Sequence, residues 1–168
     1  MKILFLDIDG VLNSKRYYHS DEWKNISSKI NNGEQKYSPH FLIDKKSIEV
    51  LNNLIKSMPD LSIIISSTWK RYGRYEQTKE YLIQNEFQFE SQIIGYTPEL
   101  NSLKYCRGDE IQLWLNKHLD VSNYCIVDDD NDMLSTQLEN FVQINSEVGL
   151  TEEDCEEIKR TLNKRIVW

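Results

Sequence analysis

Five short apolar runs, at residues 3–6, 61–65, 92–96, 124–127 and 141–144, set the terms for what this chain can fold into. Each is rich in Ile, Val, Leu or aromatic residues and too short for a helix, which is the pattern of strands buried on both faces in a parallel sheet. Helical periodicity fills most of the intervals between them. Residues 45–58 carry Ile48, Leu51, Leu54, Ile55 and Met58 on one stripe, behind Asp44 as a candidate N-cap. A second helix over 75–85 is expected to turn Leu82 and Ile83 inward. A third begins near Gly108 and presents Ile111, Trp114, Leu115 and His118 on one side. The last starts at Thr151, whose hydroxyl can cap while Glu152, Glu153 and Asp154 complement the helix N-terminus. Strands alternating with helices, joined by right-handed crossovers, predict an α/β, Rossmann-like, doubly wound parallel sheet of about five strands.

One stretch breaks the alternation. Residues 13–40 are polar and tyrosine-rich and contain Asn31-Asn32-Gly33, so they read as an excursion after the first strand, either a flap or hairpin over the site or a disordered surface loop. The length of 168 residues suits one domain over 1–168 with 13–40 as an insertion. A formal net charge of −7 argues against sequence-independent nucleic-acid binding, which depends on neutralising many phosphates, but leaves room for a local basic site. Cys106, Cys125 and Cys155 are odd in number and lack metal or redox spacing, which suits a reducing cytoplasm. His19, His40 and His118 are too scattered to suggest zinc. No run approaches the roughly 18 apolar residues of a membrane span, and Asp7 and Asp9 interrupt the N-terminal run, so a soluble chain is expected.

In an open α/β sheet, ligands bind beyond the carboxyl ends of the strands. Asp7 and Asp9 follow the first run, Ser66, Ser67 and Thr68 the second, and Asp128, Asp129 and Asp130 the fourth, while Arg107 begins the helix leading into the fourth. Acids, hydroxyls and a cation therefore gather on one edge. Two acid clusters meeting there repel unless a cation neutralises them, and carboxylate oxygens without His or Cys indicate magnesium.

Asp7-Ile8-Asp9-Gly10-Val11 resembles the first motif of the haloacid dehalogenase (HAD) superfamily, Ile63-Ile64-Ile65-Ser66 its second and Ile126-Val127-Asp128-Asp129 its acidic fourth, with Arg107 in the place of the basic third. The likeness spans about residues 3–150. More narrowly, Ser66-Ser67-Thr68-Trp69, Arg107-Gly108-Asp109-Glu110-Ile111 with Trp114-Leu115, Asp128-Asp129-Asp130 and Gly149-Leu150-Thr151 are similar to the HAD domain of Swiss-army-knife RNA-repair proteins, itself reminiscent of polynucleotide 3′-phosphatases.

The resemblance implies a role for each residue. Asp7 would attack phosphorus and form an aspartyl-phosphate intermediate. Asp9 would protonate the leaving oxygen and then activate water, while its backbone carbonyl ligates Mg2+. An acid at this second position implies phosphatase chemistry. Ser66 would hydrogen-bond the transferring phosphoryl group, and Arg107 would offset charge on phosphate and on Asp7. Asp129 would bind Mg2+ and Asp128 would orient it or Arg107, although the triple Asp leaves those two exchangeable; Asp132 is a further acidic candidate.

Ser67, Thr68, Lys70 and Arg71 are candidates for substrate binding. Lys70, Arg71 and Arg74 form a basic cluster that is either a solvated helix start or a grip on a second phosphate. Trp69 is expected to pack under the second helix rather than stack on a base. Tyr17 and Tyr18, with Lys15 and Arg16, are either a substrate-facing side of the flap or part of a solvated loop. No large cap domain fits between the motifs, and capless members of the superfamily have open sites. The preferred substrate is therefore a nucleic-acid or nucleotide phosphate end. The alternatives are a phosphatase of small metabolites or phosphoproteins, a non-catalytic module on the same fold, and a receiver domain, which places its acid pair and phosphoacceptor on different strands.

Overall fold

The computed structural model describes residues 1–36, 38–101 and 103–164. Tyr37, within the expected insertion 13–40, and residues 165–168 of the expected domain lie outside the described residues.

The five apolar runs form β1 (Lys2–Leu6), β2 (Leu61–Ile65), β3 (Ile93–Tyr96), β4 (Asn123–Asp128) and β5 (Phe141–Gln143), all parallel, in the order β3-β2-β1-β4-β5. The Rossmann-like sheet is thus observed. The chain works outward from β1 in one direction and then returns to its other side, so the switch point lies between β1 and β4.

Alternation along the strands sends side chains to two cores. Leu4, Leu6, Ile63, Ile65, Cys125 and Val127 join one cluster, together with Ile48, Leu51, Leu54 and Ile55 of α3 (Lys45–Ser57) and Ile158 and Leu162 of α6 (Glu152–Leu162). Ile3, Phe5, Ile64 and Ile126 face the other way onto Ile111 and Trp114 of α5 (Arg107–Leu115). There the Phe5 ring meets Trp114 edge-on at 5.4 Å.

Two caps form as the sequence predicts. Asp44 accepts the Lys46 backbone N–H, and Thr151 forms a reciprocal capping box with Asp154. In α4 (Tyr75–Gln84), Leu82 is buried but Ile83 is 37% exposed, contrary to the expectation that both point inward. Consecutive helical residues lie about 100° apart, and the buried face follows Thr78 and Leu82, four residues apart, which turns Ile83 away.

Residues 13–40 make helices rather than a hairpin. Ser14 and Ser20 cap α1 (Lys15–Tyr18) and α2 (Asp21–Asn31) by accepting the Tyr17 and Trp23 backbone N–H groups. The Lys15 and Arg16 amides donate to the Ser146 and Glu147 carbonyls beyond β5. Tyr17 is buried and donates its hydroxyl to the Phe41 carbonyl at 2.6 Å, so it anchors the insertion instead of facing outward. Among the described residues no helix is long and apolar enough to cross a membrane.

Candidate active site

Sheet register builds the site. Leu6 of β1 pairs with Ile65 on one side and Val127 on the other, and the ladder continues one step further. The Ser66 amide donates to the Leu6 carbonyl at 2.8 Å, and the Asp7 amide to the Val127 carbonyl at 3.0 Å. Asp7, Ser66 and Asp128 therefore stand in one row beside the switch point, where an open sheet leaves its crevice.

Past Asp7 the chain turns sharply. The Leu12 amide bonds to the Ile8 carbonyl, and the Gly10 amide donates to both the carbonyl and side-chain oxygen of Asn13. Gly10 has φ +72°, and a Cβ there would lie 2.3 Å from the Asp129 carboxyl carbon. Gly10→Ala should cost about 1–2 kcal/mol through the left-handed backbone alone and should also displace Asp129. A lowered urea midpoint checks the first effect; weakened cation-dependent stabilisation checks the second.

Carboxylate oxygens of Asp7, Asp128 and Asp129 lie within 4.8 Å of one another. Arg107 spans the first two, with Nη2 3.7 Å from Asp7 Oδ1 and Nε 3.4 Å from Asp128 Oδ2. Burial pushes both carboxyls up. Arg107 opposes the shift at each, while repulsion from Asp7 adds to it at Asp128. The Asp129 carboxyl is also raised, by burial and by Asp130. Asp7 Oδ1 is buried without a hydrogen bond. Three oxygen donors packed this closely, one of them unsatisfied, form a set suited to a hard divalent cation. Asp132 does other work: its side chain and carbonyl accept the Arg107 and Gly108 amides at the start of α5.

The remaining predicted residues divide. The Ser66 hydroxyl is buried beside Asp7 and has no hydrogen-bond partner. Ser67 is buried, lowers the Asp7 pKa through its hydroxyl and caps the 3₁₀ turn Thr68–Gly73 by accepting the Trp69 amide. Thr68 is exposed on that turn. Lys70 is buried and donates to Glu110 Oε2 at 2.7 Å, so it is no part of a solvated surface. Arg71 keeps its Nε buried and unpartnered. Asp9 is exposed, and its carboxylate accepts the Trp69 indole N–H at 2.9 Å and the Asn13 side-chain amide at 2.8 Å. Trp69 does pack on α4, meeting Tyr81 edge-on.

Asn13 and Glu110 were not anticipated. Glu110 lies three residues after Arg107, the spacing that shares a helix face. Its Oε1 accepts the Leu100 amide at 3.0 Å, and its Oε2 lies 3.9 Å from Arg107 Nη1. Glu110→Ala would strand Lys70 in the interior and should cost about 3–5 kcal/mol, measured by urea unfolding.

One family profile, described as the HAD domain in Swiss Army Knife RNA repair proteins, matches residues 3–155. No match is found among curated proteins or among solved structures.

Proposed function

The chain belongs to the family of HAD domains in Swiss Army Knife RNA repair proteins, and on that premise we propose that it is a magnesium-dependent phosphomonoester hydrolase for nucleic-acid or nucleotide phosphate ends. The observation that carries the reading is the Asp7 carboxylate, buried with an unsatisfied Oδ1 next to Arg107 and an acidic cluster, with a second acid two residues on.

In this reading an Asp7 oxygen attacks phosphorus, the bond from phosphorus to the leaving oxygen breaks, and Asp9 gives that oxygen its proton. Asp9 then takes a proton from water, which attacks the aspartyl phosphate and frees both inorganic phosphate and Asp7. The unpartnered Ser66 hydroxyl donates to a phosphoryl oxygen, and Arg107 balances the charge that Asp7 and phosphate bring together. Trp69 and Asn13 hold the Asp9 carboxylate in place. Asp7, Asp128 or Asp129, and the Asp9 carbonyl would hold Mg2+. Once bound, it would supply Lewis-acid neutralisation of phosphoryl charge. The whole chain acts as one domain with 13–40 as its insertion, and three free thiols favour a reducing, cytoplasmic setting.

Phosphate release should depend on Mg2+ and stop on chelation. A panel of 3′- and 5′-phosphorylated oligonucleotides, mononucleotides, sugar phosphates and phosphopeptides tests the substrate. Nucleic-acid or nucleotide ends should lead. A lead for sugar phosphates or phosphopeptides overturns the substrate class but leaves the chemistry standing.

A further inference from the structure

Next to Asp9 the surface opens into a cavity of about 670 Å³, within the range of small-molecule sites. Asp9, Leu42, Trp69, Arg74, Gln77 and Tyr81 line it. We propose that this cavity is the leaving-group subsite and that it takes a nucleobase, held flat against one aromatic wall. The proposal rests on the phosphohydrolase reading above, because it takes Asp9 as the group that protonates the leaving oxygen.

Position is the first support. The carboxylate that must reach the leaving oxygen forms part of the cavity wall, so whatever that oxygen carries extends into this space.

The walls supply the second. Trp69 and Tyr81 meet with ring centroids 6.3 Å apart and planes at 85°, which makes a corner, and Leu42 adds an aliphatic side. A planar ring lies flat on one face of such a corner and turns its edge to the other. An amine would find Asp9 as the only carboxylate among the lining residues.

Rigidity is the third. The Trp69 indole N–H is committed to Asp9, its amide to Ser67 Oγ, and its carbonyl accepts the buried Thr78 hydroxyl at 3.0 Å. A wall fixed at three points costs little ordering when a ring settles on it. Gln77 offers both a donor and an acceptor, the complement that a base edge needs.

The test compares kcat/KM for nucleoside 3′- and 5′-monophosphates with that for ribose 5-phosphate and glycerol phosphate, all with Mg2+. The base should raise kcat/KM roughly ten-fold or more, the scale of one base stacking on an aromatic side chain. Tyr81→Ala removes the ring that meets the base edge and should lower that ratio several-fold. Trp69→Phe keeps a ring face but frees Asp9, so it should preserve the ratio while lowering kcat on every substrate. Should Tyr81→Ala fold poorly, a second measurement on the wild-type protein decides. Unphosphorylated nucleoside should inhibit glycerol phosphate turnover competitively, and ribose should not. Equal kcat/KM with and without a base, or nucleoside no better than ribose as inhibitor, overturns the subsite while leaving the hydrolase reading intact. Failure to hydrolyse any phosphomonoester overturns both.

Discussion

Asp7→Asn should give a folded protein that has lost phosphate release by a factor on the order of 10⁶, the scale on which hydrolases lose rate when their nucleophile is removed. The substitution changes one atom of a side chain and leaves the backbone bond from residue 7 to the Val127 carbonyl untouched. It also removes a charge that burial disfavours, although that charge is favoured by Arg107 and by the Ser67 hydroxyl. Unchanged circular dichroism together with lost turnover is the expected pair. Turnover near the wild-type level would remove Asp7 from the chemistry and the proposed mechanism with it.

The second large effect is the dependence of stability on cation and pH. Asp7 and Asp128 are both raised above their ordinary value of 3.8, so between that value and their raised ones the folded state binds more protons than the unfolded. Their contribution is therefore fully present below pH 3.8 and is lost as pH rises through the raised values. As pH rises through those raised values, the metal-free protein takes on the strain of two buried carboxylates that Arg107 only partly balances. Mg2+ should relieve it. At a concentration 100 times its Kd the ion should stabilise the fold by about 2.7 kcal/mol. Asp128→Asn should raise the metal-free Tm by about 2–4 °C, the shift that 1 kcal/mol produces in a chain of this size, and should lose most of the response to Mg2+. Thermal scans at pH 5 and pH 8, with and without Mg2+, check both. A metal-free Asp128→Asn protein less stable than wild type at pH 8 would mean that the pairing with Arg107 outweighs the burial cost.

Much of this was legible in the sequence because it is local. The strands show as short apolar runs, and one residue past each central run stand Asp7, Ser66 and Asp128, which parallel register then aligns. The helices of 13–40 were hidden because their sequence is polar. What holds them is a pair of serine caps and the anchoring of Tyr17, signals too small to separate from a loop. The fine structure of the site was hidden for another reason. Trp69 and Asp9 are 60 residues apart and Lys70 and Glu110 are 40 apart, so no spacing rule connects them. Lys70 reads in the sequence as either a solvated residue or a phosphate grip because its partner, Glu110, arrives from a different helix. Ile83 was misplaced because apolarity alone does not tell which of two neighbours faces the core.

β1 lies at the centre of the sheet, bonded on both edges and covered on both faces. Its amides are expected to exchange with solvent only when the whole sheet parts, so Asp7, the proposed nucleophile, stands one residue past the segment that should open last. The 3₁₀ turn carrying Trp69 and the helices of 13–40 hang from that sheet by caps and side-chain bonds, and they open at far lower cost. The two jobs of such a site thus run on separate clocks. On the proposed function, the chemistry is welded to the slowest part of the molecule, while the surfaces that would greet a substrate can loosen, adjust and diverge without disturbing it.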